Sequence, residues 1–310
     1  MITFKDIVNF NNPVRTIVTI GTFDGVHKGH QKIIKKMVAG ASANDLKATL
    51  LTFFPHPRMV LQQNSELRLI TTLEEKKQLL EKTGLDQLIV QPFTKDFSRL
   101  SARQFVEEIL VDKLHVQKMI IGYDHRFGRN RTADIKDLIE FGNTFKFEVE
   151  EISAEEINEV SISSTKIRNA LNAGDIATAN SYLGYEFMLT GTIESGKGLG
   201  RQIDFPTANL KIEEAYKLIP ANGVYVVKSF LKEKLVYGMM NIGYNPTVNG
   251  TKKTVEINFF DFKADLYGQK IQVHLLARLR DEERFDSIDI LKEQLKNDRK
   301  NAIQFIKQKS

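Results

Sequence analysis

Cysteine is absent from all 310 residues. Its absence excludes disulfides, thiolate-ligated zinc and thiol catalysis. A chain without cysteine is compatible with a reducing cytoplasm, the compartment expected here. Long apolar runs are also missing: none approaches the roughly 18 residues that a membrane span requires, so no membrane partner is expected. Met1 to Asn12 mixes Lys5, Asp6 and three asparagines with apolar residues and lacks the continuous apolar core of a secretory signal. There is no internal repeat and no low-complexity segment. Charge of one sign is in small surplus, 44 Lys and Arg against 39 Asp and Glu, a formal +5. Such a surplus can draw an anionic ligand or only solvate a mixed surface, and it does not by itself call for nucleic acid.

What is present is ordinary for a soluble globular protein: 42% hydrophobic and 27% charged residues. The length suggests about two domains. The first half alternates strand-like and helix-like patterns. Apolar strand-like runs fall at Arg15 to Ile20, Lys47 to Phe54, Gln87 to Val90, Lys118 to Gly122 and Lys146 to Ile152. Helix-like stretches lie between them, including Thr72 to Lys82 and Ser101 to Leu114, the latter with Ser101 as its N-cap. That alternation predicts an α/β domain with a doubly wound parallel sheet.

The pattern changes near Tyr185. Five short strands without intervening helices follow: Phe187 to Ile193, Gly223 to Leu231, Leu235 to Ile242, Thr254 to Phe260 and Ile271 to Leu279. They predict a small antiparallel barrel or sandwich, closed by a helix from about Ser287. The boundary falls near Ser181 to Glu186, so the expected domains are 1–184 and 185–310.

The most informative stretch is Gly21-Thr22-Phe23-Asp24-Gly25-Val26-His27-Lys28-Gly29-His30. It follows a strand and enters a helix whose Ile33, Ile34, Met37 and Val38 share one face. A glycine loop at a strand end lets backbone approach phosphate oxygens, and a helix start aims its unpaired N–H groups at them. The span from Gly21 through Phe23, Asp24 and Gly25 to Gly29 is therefore a candidate phosphate cradle. His27 and His30, three residues apart, share one side of the first turn. They can donate to a phosphate and stabilise charge as a phosphoryl oxygen bond breaks.

Ser161 to Arg168 opens a further helix-like segment, with hydroxyls at Ser163, Ser164 and Thr165 and the cation Arg168 downstream. Hydroxyls and a cation there suit a polyphosphate, although alone they also read as an ordinary serine N-cap. Asp124 and Arg126 lie in Gly122-Tyr123-Asp124-His125-Arg126-Phe127-Gly128, after another strand end, where parallel sheets gather ligands. The arginines of that loop, Arg126, Arg129 and Arg131, either face solvent or line an anionic pocket. Phe54-Pro55-His56-Pro57-Arg58 is either a rigid turn or part of the site.

These motifs resemble the adenylyltransferase domain of bacterial bifunctional riboflavin kinase/FAD synthetases. The resemblance rests on G-T-F-D-G-V-H-x-G-H, G-Y-D-H-R-F-G and S-S-T-K-I-R in that order. It implies a Rossmann-like nucleotidyltransferase that joins FMN to the α-phosphate of ATP. His27 and His30 would meet the ATP phosphates; Asp124, Ser164, Thr165 and Arg168 would bind nucleotide. His125, where phenylalanine is usual, and Ser161, where some relatives have arginine, depart from the pattern.

In the second half, Gly196, Lys197, Gly198 and Arg201 form a basic glycine-rich segment that can wrap phosphates, although it lacks the ending of a Walker A loop. As a bland alternative it is a flexible hairpin loop. Thr207 and Asn209, alternate residues of a strand, share a face and offer oxygen ligands to phosphate-held Mg²⁺. Glu256 lies in a strand opposite Val255 and Ile257. It is either an exposed strand glutamate or a base for a hydroxyl nucleophile.

The segments G-R-Q-I-D-F-P-T-A-N-L, N-G-V-Y, N-I-G-Y-N-P-T, T-V-E and D-L-Y-G-Q, with Leu279-Arg280-Asp281-Glu282, resemble the riboflavin kinase domain of the same family. The resemblance then spans nearly the whole chain. It implies Pro206, Thr207 and Asn209 near Mg²⁺-ATP, Glu256 as general base, and Arg280 with Glu282 near the flavin. Asp204 stands where glycine is common. The expected substrates are riboflavin, FMN and ATP, with FMN and FAD as products and no nucleic-acid partner. One alternative is a single-activity nucleotidyltransferase whose barrel only binds ligand. Another is a nucleic-acid-binding barrel, although no clustered aromatic stacking face is evident.

Overall fold

The computed structural model describes residues 1–309 except 11, 63–65, 123–125, 130–131, 154–161, 196–204 and 248–249; residues 245–247 and 250–252 are described by backbone alone. The chain divides into two compact units, Met1–Ser164 and Thr165–Ser310.

The first unit contains a six-stranded sheet. Its strands are β1 (Ile2–Phe4), β2 (Thr16–Ile20), β3 (Lys47–Phe54), β4 (Gln87–Pro92), β5 (Val116–Gly122) and β6 (Glu148–Ile152). They lie in the order β1-β4-β3-β2-β5-β6, and every neighbouring pair is parallel. Helices α1 (Lys28–Ala43), α2 (Pro57–Leu61), α3 (Leu73–Glu81) and α5 (Ile135–Phe145) occur between strands. The segment α4 starts as an α-helix at Ala102–Gln104 and continues as π turns over Phe105–Val111. Ser101 caps it, accepting from the Gln104 N–H at 3.2 Å. The wider π turns bury Phe105, Val106, Ile109 and Leu110 as adjacent pairs.

Strand alternation explains the two cores. Ile17, Leu50, Leu88 and Ile120 enter one cluster with Ile33, Ile34 and Met37 of α1. Their neighbours Val18, Leu51, Ile89, Met119 and Ile121 enter the other with α4. All five residues of β2 are buried, as expected for a central parallel strand covered on both faces. The connection order reverses beside β2: β3 and β4 lie on one side, β5 on the other. The crevice at such a reversal, outside the strand carboxyl ends, is where open α/β sheets take ligands. Gly21 is the first residue after β2.

The second unit carries a closed six-stranded antiparallel barrel: β7 (Met188–Glu194), β8 (Ala208–Lys211), β9 (Gly223–Leu231), β10 (Lys234–Thr247), β11 (Gly250–Phe259) and β12 (Lys270–Arg280). Helix α6 (Ser164–Ala173), helix α7 (Ile176–Leu183) and the closing helix α8 (Ile288–Lys309) complete the elements. Asn180 of α7 donates to the Leu275 carbonyl at 2.9 Å, and Ala221 N–H donates to the Leu171 carbonyl of α6 at 3.0 Å. These bonds tie α6 and α7 to the barrel. Helix α8 packs Ala302 against Val224, Val226 and Met239. Its Asp298 is 1% exposed and holds the Arg280 guanidinium at 2.8 and 3.0 Å.

Candidate active sites

In the first unit the loop between β2 and α1 is folded tightly on itself. Phe23 (φ 46°) and Val26 (φ 38°) occupy left-handed backbone that non-glycine residues, and β-branched ones above all, seldom adopt. Gly25 is also left-handed, at φ 84°, and a Cβ there would meet the Ile70 side chain at 3.0 Å. Backbone held in such wells persists only where its surroundings over-determine it, and such positions cluster at ligand sites.

Here the surroundings come from the chain before α3. The Asp24 carboxylate accepts from Ile70 N–H at 3.0 Å and Thr71 N–H at 3.2 Å, and Gly25 N–H donates to Thr71 Oγ1 at 3.2 Å. A capping box, Thr72 with Glu75, starts α3 at this junction. Lys76, one residue on and 3% exposed, sends its ammonium to the Thr22 carbonyl at 2.7 Å. Thr52 Oγ1 donates to the same carbonyl at 3.2 Å.

His27 is buried and caps α1: its Nδ1 accepts from the His30 N–H at 3.4 Å. A neutral His27 therefore carries its ring proton on Nε2. The two imidazoles stack, with centroids 3.6 Å apart and planes inclined by 19°. Phe23 lies 4.6 Å from the His30 ring on centroids. His30 Nδ1 is buried and makes no hydrogen bond among the described residues. Burial first, then the charges of His27 and Lys76, push the His30 pKa well below the usual 6.5. Burial also lowers Lys76 from 10.5 to about 8, against the opposing pull of Asp24. At neutral pH His30 is a neutral donor beside a buried cation. That arrangement can receive a polyanion and stabilise the charge developed on a leaving phosphate.

Gly29 is buried in the first turn of α1. Ser164, the last residue of the first unit, donates its Oγ to the Asp24 carbonyl at 3.0 Å. Ser163 adjoins it and is half-buried; Thr165 is exposed and Arg168 half-buried within α6. Asp124 lies outside the described residues, as do His125 and Ser161. Phe54 ends β3 and Pro57 opens α2, so Pro55 and His56 alone link them: the Phe54–Pro55 bond is cis, and His56 caps α2 by accepting from the Arg58 N–H at 3.1 Å.

In the second unit, register assembles the site. Glu194 of β7 pairs with Asn209 of β8, Asn209 with Glu256 of β11, and Glu256 with Asn241 of β10. Asn241 pairs with Val224 of β9, and Val224 with Arg280 of β12. Paired residues point to one face of a sheet, so these six form a single lateral row. Three strand spacings, about 14 Å measured along the barrel wall, lead from Glu256 to Arg280. Val255 and Ile257 are buried on the other face, which leaves Glu256 on the row's side, half-buried. Thr207, just before β8, donates its hydroxyl to Glu256 Oε2 at 3.3 Å. The Pro206 carbonyl accepts from Asn258 Nδ2 at 2.8 Å, which fixes the segment that carries Thr207.

A cavity of about 360 Å³ opens beside Thr207, walled by Ile193, Ile257, Phe259, Phe262 and Tyr267. At the far end of the row, Glu282 accepts from Asn222 Nδ2 at 2.8 Å and Tyr244 N–H at 3.2 Å. Lys253 donates to the Pro220 carbonyl at 2.6 Å, and burial lowers its pKa despite Glu282 nearby. Gly196, Lys197, Gly198, Arg201 and Asp204 lie outside the described residues. Among the described residues no group of three or more His, Cys, Asp or Glu side chains can hold a metal ion. Thr207, Asn209 and Glu256 are instead an oxygen set, the chemistry of a hard cation that keeps phosphate ligands of its own.

Sequence reasoning passed over Lys76, Asn241, Asn258 and Asp298. Only Lys76 had a local signal: the T-x-x-E box at Thr72–Glu75 announces a helix start one residue before it.

Comparison with known proteins adds the following. A family model described as FAD synthetase matches residues 10–166, and one described as riboflavin kinase matches residues 183–306. A relative from Listeria monocytogenes named bifunctional riboflavin kinase/FMN adenylyltransferase is 35% identical over 294 residues, 94% of this chain and 93% of its own length. The protein of that name from Escherichia coli K12 is 36% identical over 290 residues, 93% and 92% of the two chains. A solved chain from Streptococcus pneumoniae, titled a macrolide-efflux protein, has a TM-score of 0.87 at 31% identity and covers 96% of this chain and 97% of its own. Among the described residues no helix is long and apolar enough to cross a membrane.

Proposed function

From the premise that the chain belongs to the bifunctional riboflavin kinase/FMN adenylyltransferase family, we propose which of its residues carry each reaction. Its substrates are riboflavin, FMN and ATP. We assign adenylylation to residues 1–184 and riboflavin phosphorylation to 185–310. With ATP as co-substrate of both reactions and no cysteine, the cytoplasm is the proposed compartment. Neither a membrane nor a nucleic acid is needed as a partner.

In the kinase reaction the terminal ribityl hydroxyl of riboflavin attacks the γ-phosphorus of ATP. The new O–P bond forms as the bond to the β-phosphate oxygen breaks, and ADP leaves. Glu256 takes the hydroxyl proton. Thr207 and Asn209 would hold Mg²⁺, which neutralises phosphate charge when bound. The apolar and aromatic cavity beside Thr207 suits the base of ATP. Lys197 and Arg201 are assigned to its phosphates, with Gly196 and Gly198 allowing close backbone approach and Pro206 held against the same segment. Arg280 and Glu282 are assigned to the flavin end of the row: Glu282 braces the Asn222 turn, and Arg280 is oriented by Asp298.

In the adenylylation reaction a phosphate oxygen of FMN attacks the α-phosphorus of a second ATP, and pyrophosphate leaves as the α–β bridging bond breaks. No covalent enzyme intermediate is needed. His27 and His30 donate to the phosphates, and the Gly21–Gly29 loop cradles them through backbone N–H groups. Asp124, Ser163, Ser164, Thr165 and Arg168 are assigned to the nucleotide.

The observation that carries this reading is the presence of two phosphate-suited constellations in separate compact units, one around His27 and His30, the other around Glu256. Two substitutions test it. His30→Ala should abolish FAD formation and leave FMN formation near normal. Glu256→Gln should abolish FMN formation and leave FAD formation intact when FMN is supplied. Loss of both activities in either folded variant overturns it.

A further inference from the structure

Lys76 is a buried charged side chain beside the buried Asp24 carboxylate. The Asp24 carboxylate already receives two backbone N–H groups, and the Thr22 carbonyl already receives Thr52 Oγ1. Burying an ammonium costs several kcal/mol, of which the nearby Asp24 carboxylate repays a part. A cation here offsets the Asp24 charge and also attracts an anion brought to the Gly21–His30 loop.

The groups around it fit that role. Asp24 faces it from the loop, and His30 faces it from α1. Glu75, next to it on α3, turns its carboxylate to the Thr72 N–H at 2.9 Å. We propose that Lys76 is a positioning residue of the adenylyl-transfer site: it anchors the Thr22 carbonyl of the phosphate loop and keeps a buried cation beside His30 for the polyphosphate of ATP. This rests on the reading that ATP phosphates lie against that loop.

A consequence separates this role from a structural one. With its pKa lowered to about 8 in the protein without nucleotide, Lys76 is mostly neutral at moderately alkaline pH. Polyphosphate beside it restores the ammonium, so ATP binding takes up a proton. A brace for Thr22 alone would show no such uptake.

The experiment is calorimetric titration of the full chain with Mg²⁺-ATP, without flavin, at about pH 8.5 in two buffers of different ionisation enthalpy. The wild-type chain should take up about half a proton more than Lys76→Arg, whose side chain stays charged throughout. Lys76→Arg should keep the KM for ATP in adenylylation near normal. Lys76→Met should raise that KM about tenfold, the worth of a charge-assisted contact, with kcat changed less. If Lys76→Met does not fold, the arginine variant decides alone, by losing the uptake while it still binds ATP.

Equal proton uptake in wild type and Lys76→Arg overturns the proposal, and so does an unchanged KM in folded Lys76→Met. His30→Ala distinguishes the two levels. If it loses FAD formation while the Lys76 variants behave as wild type, only the Lys76 role fails. If it keeps FAD formation, the phosphate-loop reading itself fails.

Discussion

His30 is held neutral in the folded chain by burial and by the charges of His27 and Lys76, whereas an unfolded histidine takes its proton near pH 6.5. The sign follows from linkage. Above 6.5 neither state binds the proton and His30 contributes no pH dependence. As pH falls below 6.5 the unfolded state binds a proton that the folded state refuses, so stability is lost. The slope for one proton is at most about 1.4 kcal/mol per pH unit. His30→Gln should therefore flatten the fall in thermal midpoint between about pH 7 and about pH 5. An unaltered profile in this variant would place the acid sensitivity elsewhere. Lys76 acts at the alkaline end: its folded pKa of about 8 against 10.5 unfolded makes stability rise as pH climbs between the two.

At the scale of elements, the C-terminal helix α8 joins the barrel by apolar packing and by an ion pair whose carboxylate, Asp298, is buried. Arg280 reaches it from β12, and the sequence separation is only 18 residues. Asp298→Ala leaves the partly buried guanidinium unpaired, and the expected loss is about 3–5 kcal/mol, read as a lower urea midpoint. Riboflavin phosphorylation should weaken along with it, because Asp298 orients Arg280. A shift below about 1 kcal/mol would show that the Asp298–Arg280 pair contributes little to holding α8 beside its other contacts.

The elements themselves were largely legible. Alternation located β3 at Lys47–Phe54 and β9 at Gly223–Leu231 with the bounds observed. Strands β10 and β11 run further than expected because their polar ends pair through backbone, which side-chain patterning does not register. The three-residue β1 exists only through its pairing with β4. The row from Glu194 to Arg280 was not legible either, since register depends on which strands close the barrel. Nothing in the sequence beside Asp298 or Lys76 indicates their partners, which lie 18 and 54 residues away.

At the scale of the molecule, two different phosphate chemistries are carried on one chain. The parallel-sheet unit presents a strained loop, a helix start and two stacked imidazoles. The barrel presents a carboxylate and oxygen ligands ranked by strand register. The proposed proton acceptor of the kinase reaction, Glu256, and the proposed phosphate donors of adenylylation, His27 and His30, lie in different units; ATP serves both reactions, and FMN is the product of one and the substrate of the other. The central claim is that the reactions run at independent sites. It is tested most directly by mixing folded His30→Ala with folded Glu256→Gln in riboflavin, ATP and Mg²⁺ and quantifying flavins by chromatography. Alone, the first variant should stop at FMN and the second should leave riboflavin unchanged. Together they should make FAD, because FMN released by one chain is adenylylated by the other. A mixture that accumulates FMN and forms no FAD, while Glu256→Gln also fails on supplied FMN, would contradict the account.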